Sequence, residues 1–352
     1  IGKKVIYQPL SEVVHFEGVS HGSDLTSGLK AYQVTNQQKF RDKWADILSD
    51  QHYANGIDVF RARERREYVG TILIVDHYVP FFDQDAGSRS TYQYIKLFIS
   101  LGYKVLFLAD NFYEHQPYTN ILRQQGVEVL TGSWFAQNWK KWLEEQSRYI
   151  DYIYLHRPHI SEVYIDVINQ LDYRPKVIYF GHDLHFVRVT RQAQLEGDDK
   201  LFKQAEDWRR REFDIFRKVD LILYPSEDEV KEILAVDSSL PAHTIPLNIY
   251  PKIDEVKSSF DQRTNLMFVG GFGHPPNKDA VMWFVNEVMP IILNVMPMVT
   301  LNIIGSKADE EITSLESTNI KVMGRVSDDE LVSTYRNSLL SVAPLRYGAG
   351  VK

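Results

Sequence analysis

The run Gly181-His182-Asp183-Leu184-His185 puts two imidazoles and a carboxylate directly after an apolar stretch, Lys176-Val-Ile-Tyr-Phe. His182 in such a place is suited to donate a hydrogen bond to a hydroxyl or to shuttle a proton, with Asp183 beside it. A histidine capping the next helix is the plainer reading of the same residues. The spacing of these side chains matches no metal-ligand motif, so no metal is expected. A second candidate is Ala343-Pro344-Leu345-Arg346-Tyr347-Gly348-Ala349-Gly350-Val351-Lys352. A flexible Gly-x-Gly bracketed by Arg346 and Lys352 has the parts needed to clamp a diphosphate: free backbone N–H groups and two cations.

Two further segments offer backbone rather than side-chain chemistry. In Asp85-Ala86-Gly87-Ser88-Arg89, Gly87 and Ser88 stand ahead of a helical pattern, where unpaired N–H groups can meet an anion or where a plain N-cap can form. Val269-Gly270-Gly271-Phe272-Gly273-His274, followed by Pro275-Pro276-Asn277, lets a ligand approach the backbone closely. This is not G-x-G-x-x-G, and a dinucleotide fingerprint is not supported.

The elements that must position these groups alternate. Thr71-Ile-Leu-Ile-Val-Asp, Lys104-Val-Leu-Phe-Leu-Ala, Val127-Glu-Val-Leu, Tyr152-Ile-Tyr-Leu, Lys176 to Phe180 and Leu221-Ile-Leu-Tyr are near-continuous apolar runs. Helical spacing separates them, as in Thr91 to Ser100 and Asn120 to Gln125. That alternation predicts a parallel sheet covered on both faces. A second series follows Pro251: Leu266-Met-Phe-Val, Thr300-Leu-Asn-Ile-Ile-Gly305, Ile320-Lys-Val-Met-Gly324 and Leu340-Ser-Val-Ala-Pro, with a helix from Asp279 to Met289 and another capped by Asp328. The expected class is α/β, two doubly wound Rossmann-like units facing a cleft. In such sheets ligands lie beyond the carboxyl ends of the strands, which is where the candidate residues fall.

Residues 1–68 lack this alternation. They begin with a strand-like run, Val5 to Tyr7, and continue through a Gly/Ser loop into a helical pattern with Phe40, Trp44, Ile47 and Leu48 on one face. Arg61 to Glu67 reads as a charged linker. The expected units are 1–68, 69–252 and 253–352, with the connection between the last two at Ile245 to Asp261.

Bulk properties narrow the classes. The chain has 352 residues, 44% of them hydrophobic and 25% charged, and a net charge of -7 from 40 basic and 47 acidic residues. This is ordinary globular composition without an electrostatic footprint for nucleic acid. With no cysteine, disulfides and thiolate metal sites are excluded and a reducing, cytoplasmic setting is expected. The longest apolar stretch, Met289 to Ile304, is interrupted by Pro290, Asn294, Pro297 and Asn302 and is too short to span a bilayer. Peripheral association with the inner face of the membrane stays open through a local basic patch. The absence of an initiator Met reads as an internal start.

Taken in order, Phe268-Val-Gly-Gly-Phe-Gly-His-Pro-Pro-Asn-Lys-Asp-Ala-Val-Met-Trp-Phe, Asn302-Ile-Ile-Gly, Gly324-Arg-Val-Ser-Asp, Ala343 to Lys352 and Gly181-His182-Asp183-Leu184 resemble family-4 (group 1) glycosyltransferases of the GT-B fold. The resemblance covers about residues 70 to 352. It implies retaining transfer of a sugar from a nucleoside diphosphate sugar, a co-substrate rather than a cofactor, to a glycan or lipid-linked acceptor in bacterial surface polysaccharide synthesis. It places the donor among Gly87, Ser88, Gly270, Gly271, His274, Asn277, Gly305, Gly324, Arg325, Val326, Tyr347, Gly348 and Gly350. The base is held by Gly324-Arg325-Val326 and the diphosphate is neutralised by Arg346 and Lys352. His182 and Asp183 complete the catalytic set.

Relatives often carry an Arg just after the first glycine of the second domain; here His274 or Lys278 must compensate. They also continue past Gly-x-Gly-x-Lys into a helix with a ribose-binding glutamate, so the second domain is expected to be incomplete and the isolated chain weak or inactive. Tyr7-Gln-Pro-Leu-Ser-Glu-Val-Val-His15-Phe-Glu-Gly is similar to the tail of a family-2 transferase of the GT-A fold, which implies a preceding GT-A module and a metal-proximal role for His15. Two alternatives stay open: a sugar-nucleotide epimerase of the GT-B fold, and a non-catalytic nucleotide- or glycan-binding module.

Overall fold

The computed structural model describes residues 13–14, 24–63, 67–249, 259 and 263–351. The expected Val5 to Tyr7 strand, His15 and Lys352 lie outside these residues, as does most of the Ile245 to Asp261 connection. Two compact units meet at Glu67 and Tyr68.

The first unit contains α1 (Gly28–Gln51) and α2 (Val59–Ala62). The Asp24 carboxylate ties down the entry to α1, accepting from Thr26 N at 2.8 Å and Ser27 Oγ at 2.6 Å. Among the described residues the Phe40–Trp44–Ile47 face stays partly open to solvent, with Phe40 55% exposed and Ile47 39% exposed. Part of the expected charged linker is a helical turn, because α2 includes Arg61.

The second unit holds two wholly parallel sheets. The larger has seven strands in the order β3-β2-β1-β4-β5-β6-β7. They are β1 (Thr71–Asp76), β2 (Lys104–Ala109), β3 (Glu128–Leu130), β4 (Tyr152–His156), β5 (Lys176–Phe180), β6 (Leu221–Tyr224) and β7 (Ala242–Thr244). Every residue of β1 and β2 is buried, which is why their sequences are continuous apolar runs rather than alternating ones. Residues such as Ile74 and Phe107 lose all solvent contact, each contributing about 1.5–3 kcal/mol. The strand order reverses between β1 and β4, leaving a crevice at their carboxyl ends.

Helices α3 (Ala86–Ser100), α4 (Tyr118–Gln124), α5 (Ser133–Gln146), α6 (Pro158–Asn169), α7 (His185–Glu196), α8 (Asp199–Phe216) and α9 (Glu227–Val236) link these strands. Helix α3 starts a turn earlier than its apolar spacing indicates. The Asp85 carboxylate caps it, accepting from Ser88 N at 2.8 Å and from Ser88 Oγ at 2.7 Å.

The smaller sheet has the order β10-β9-β8-β11, built from β8 (Asn265–Val269), β9 (Leu301–Ile304), β10 (Ile320–Gly324) and β11 (Ser338–Ser341). Its order reverses between β8 and β11. Helix α10 (Pro275–Trp283) opens with two prolines, where their missing N–H groups cost nothing. A π turn at Phe284–Val288 carries it into α11 (Met289–Val295). The short α12 (Glu310–Thr313) and α13 (Asp328–Asn337) complete the unit. Asp328 is the first residue of α13 rather than its cap; Ser327 is the cap, its hydroxyl accepting from Glu330 N at 3.2 Å. No helix among the described residues is long and apolar enough to cross a membrane.

Candidate functional site

The crevice at the β1/β4 switch is lined by charged and imidazole groups raised on an apolar sheet. Asp76 ends β1, and His156 ends β4 with Arg157 following. Arg157 Nε donates to Asp76 Oδ1 at 2.8 Å, while His77 N and Thr91 Oγ1 donate to the same carboxylate at 2.7 and 2.9 Å. Burial alone would raise the Asp76 carboxyl, but Arg157, His156 and His182 together hold it well below the usual range. The backbone at Arg157 has φ 60 and ψ 131, a region that side-chain-bearing residues rarely occupy and that clusters at functional sites.

His182 lies just past β5. Its Nε2 is 3.2 Å from Nδ1 of His156. Register pairs His156 with Phe180 across β4 and β5, so the two imidazoles follow from strand neighbours. Burial keeps both neutral, pulling His156 down to about 4 and His182 to about 3. Asp183 stays ionised: burial would raise its carboxyl, but His185 and Arg188 outweigh it, with Arg188 Nε at 2.7 Å.

Asp76, His156 and His182 bring potential metal-ligand atoms within 4.8 Å of one another. The carboxylate is already taken up by its three donors, and a divalent cation there would face the Arg157 guanidinium. The trio reads as a hydrogen-bonded cluster around a charge pair.

Gly87 lies in the first turn of α3, and a Cβ there would stand 3.1 Å from Arg157 Nη2 and 3.7 Å from His182 Cε1. Its neighbour Ser88 is fully engaged with Asp85, which leaves Gly87 as the member of that pair open to a ligand.

On the second sheet the glycines serve close backbone approach. A Cβ on Gly305 would come within 2.0 Å of Gly270 O, so the turns after β8 and β9 pack backbone to backbone. Gly270 N donates to Ile304 O and Gly305 N donates to Gly324 O, both at 2.9 Å. Asn277 is buried, its Nδ2 donating to Gly271 O at 2.8 Å. It shapes the turn. His274 occupies the cap position of α10. Val326 is half-buried beside exposed Arg325, whose Nη2 lies 3.2 Å from Asp83 Oδ2 on the first sheet's side.

Lys278 does not reach the glycine turn, because Asp309 and Glu311 hold it at 2.6 and 2.5 Å. The cation beside that turn is Lys307, whose Cδ lies 3.0 Å from the Cβ position of Gly273. Lys307 adopts φ 60, an uncommon conformation for a residue with a side chain.

The Tyr347 to Gly350 loop meets the first sheet directly. Arg191 Nη1 donates to Gly348 O at 2.8 Å, and Gly350 N donates to Glu229 Oε1 at 2.9 Å. Gly350 has φ 82, and a Cβ there would press to 3.0 Å from His182 O, so glycine is needed on both counts. Glu229 Oε1 also accepts from Leu184 N at 2.7 Å. Burial pushes its carboxyl up to about 7 against the pull of these N–H groups. Tyr347 is buried, and Arg346 is paired with Asp279, its Nε at 3.0 Å from Oδ2.

The structure thus sets His182 and Asp183, which the sequence reading named, beside Asp76, His156, Arg157, Glu229 and Arg191, and sets the glycine turn after β8 beside Lys307; the sequence reading gave none of these neighbours a role. A polar residue ending an apolar strand is the signal that picked out His182, and it applies equally to Asp76 and His156. Nothing local marks the others.

Two parallel α/β sheets of seven and four strands, each with a switch point, are the architecture of the GT-B fold. Among solved structures, sucrose-phosphate synthase from Thermosynechococcus elongatus is similar at 14% identity, with 79% of this chain and 76% of that one covered and a TM-score of 0.56. A mutant of S. aureus TarM in complex with Fondaparinux, alpha-GlcNAc-glycerol and UDP is similar at 10% identity, covering 78% and 80% at a TM-score of 0.56. A curated relative, an uncharacterized 44.6 kDa protein in the cps region of Klebsiella pneumoniae, is 30% identical over 148 residues, 40% of this chain. The matched segment spans 36% of that relative's length. No family model matches the chain.

Proposed function

We propose that this chain supplies the catalytic module of a retaining glycosyltransferase, moving a sugar from a nucleoside diphosphate sugar to a glycan or lipid-linked acceptor in surface polysaccharide synthesis. The observation that carries the reading is the close approach of Gly350 to the His182 carbonyl, which leaves no room for a Cβ, with Glu229 Oε1 accepting from both Leu184 N and Gly350 N. A diphosphate seated on the Gly348–Gly350 and Gly270–Gly271 turns would present its sugar to His182. The N–H groups of Gly271 and Gly348, with Lys307, Lys352 and, on exchanging Asp279 for the phosphate, Arg346 as cations, supply the charge stabilisation that a departing diphosphate requires, without a metal cofactor. His182 orients a sugar or acceptor hydroxyl. UDP in the TarM complex and the cps-region relative support the donor class and the polysaccharide setting.

The test is thermal unfolding of the full-length protein with UDP and with UDP-glucose, run beside a transfer assay. A ligand that binds only the folded form at 100 times its Kd adds about 2.7 kcal/mol, and a clear rise in melting temperature with UDP is expected. No shift with any nucleoside diphosphate or nucleotide sugar would remove the donor site. A shift without transfer to any glycan acceptor, and with interconversion of the nucleotide sugar instead, would replace transfer by epimerisation.

A further inference from the structure

We infer that His156 sets the tautomer of His182, so that His182 presents a protonated Nδ1 to the cleft as a fixed hydrogen-bond donor. What that donor meets depends on the sugar-transfer reading above; the tautomer follows from the protein alone.

His156 is fully buried, its ring held between Tyr154 and Phe180 at centroid distances of 5.0 and 5.3 Å. The 3.2 Å contact between His156 Nδ1 and His182 Nε2 needs one hydrogen, and both rings are neutral. A neutral imidazole carries one N–H and one lone pair, so only two arrangements exist. In the first, His182 Nε2–H donates to His156 Nδ1, and His156 then carries its own proton on Nε2. That nitrogen is shut off from solvent and has no partner among the described residues. An orphaned buried N–H costs about 1–3 kcal/mol, and such donors are rarer in native proteins than unpaired acceptors.

In the second arrangement His156 Nδ1–H donates to His182 Nε2. His156 Nε2 becomes an unprotonated lone pair, the milder defect, and the proton of His182 is forced onto Nδ1. Nδ1 of His182 makes no hydrogen bond among the described residues and its ring is only partly buried, which leaves that proton available to a ligand. The geometry thus selects the second arrangement. His182 then cannot take a proton at its outward nitrogen. It can only donate, to an oxygen of a hydroxyl or phosphate. His156 acts through His182 and is a positioning residue.

The experiment is long-range 1H–15N NMR of the chain labelled with 15N-histidine, at neutral pH. The expected spectrum of His182 shows an unprotonated Nε2 and a protonated Nδ1. In His156→Leu the proton should move towards Nε2, the position that free histidine favours. In His156→Asn, whose amide N–H replaces the Nδ1 donor, the wild-type pattern should return. A proton on His182 Nε2 in the wild type overturns the proposal, and so does a His156→Leu spectrum with an unchanged tautomer. Equimolar Zn2+ that shifts both rings together also overturns it, by making the pair a metal site. Failure of UDP-glucose to bind would remove the sugar-transfer reading and leave the tautomer result standing.

Discussion

Arg157 Nε lies 2.8 Å from Asp76 Oδ1 across the switch between β1 and β4, and the Asp76 side chain is only 4% exposed. The pair holds the crevice in shape: Asp76 also anchors His77 N and Thr91, and Arg157 reaches the first turn of α3 beside Gly87. Replacing Arg157 by Leu leaves a buried carboxylate without its partner, which should cost about 3–5 kcal/mol. Asp76→Asn combined with Arg157→Leu removes both charges and should recover much of that loss. Urea unfolding of the wild type and the two variants measures it. A loss under about 1 kcal/mol for Arg157→Leu would place the pair in the class of weak surface ion pairs.

The two neutral histidines make stability acid-sensitive. Their folded pKa values, about 4 for His156 and about 3 for His182, lie below the ordinary 6.5, so the unfolded chain binds more protons at mildly acid pH. Their contribution is complete above pH 6.5 and is lost as pH falls towards 4. For His156 alone that is about 3 kcal/mol. Melting temperature should drop steeply between pH 6.5 and 4, and His156→Asn should flatten the curve. A wild-type curve that is level over this range would contradict neutral burial.

Glu229 works with the opposite sign. Its carboxyl is raised to about 7 from 4.5, so its stabilising contribution is full below 4.5 and is lost as pH rises through 7. Glu229→Gln keeps an oxygen for Leu184 N and Gly350 N while removing the buried charge. The variant should be more stable than wild type at pH 8 and gain nothing at pH 4.5. Equal stability at both values would show that the charge is well compensated in place.

Lys307 separates strain from ligand binding. Its φ of 60 costs about 1–2 kcal/mol in a residue with a Cβ, and glycine avoids that cost. Lys307→Gly should therefore stabilise the unliganded chain while weakening UDP binding about tenfold through the lost cation, an effect that shrinks in high salt. Paired thermal unfolding and calorimetric titration read both. Unchanged UDP affinity would remove Lys307 from the diphosphate site.

Much of the architecture was legible along the chain. Strands β1 and β2 are buried on both faces, so their residues must be apolar throughout, and periodicity alone located them. Boundaries were less legible where a side chain rather than the periodicity decides. Asp85 pulls α3 back to Ala86, and Ser327 takes the cap that the acidic run after it suggested for Asp328. The turns holding Gly305 and Gly350 were visible as glycines because a Cβ there would press on the backbone carbonyls of Gly270 and His182.

Partner choice is what only the tertiary structure decided. Asp76 and Arg157 meet because the strand order places β4 beside β1 although β2 and β3 come between them in the chain. The sequence offered His274 or Lys278 as the cation beside the glycine turn; Asp309 and Glu311 hold Lys278, and Lys307, which no local pattern marked, lies beside Gly273. His182 was identifiable from its position after an apolar strand, but which of its nitrogens carries the proton depends on His156, one strand away. Residue types and periodicity determine where chemistry can be placed. The crossovers of a parallel sheet determine which charges and imidazoles meet, since these contacts join residues far apart in sequence that no local pattern can pair.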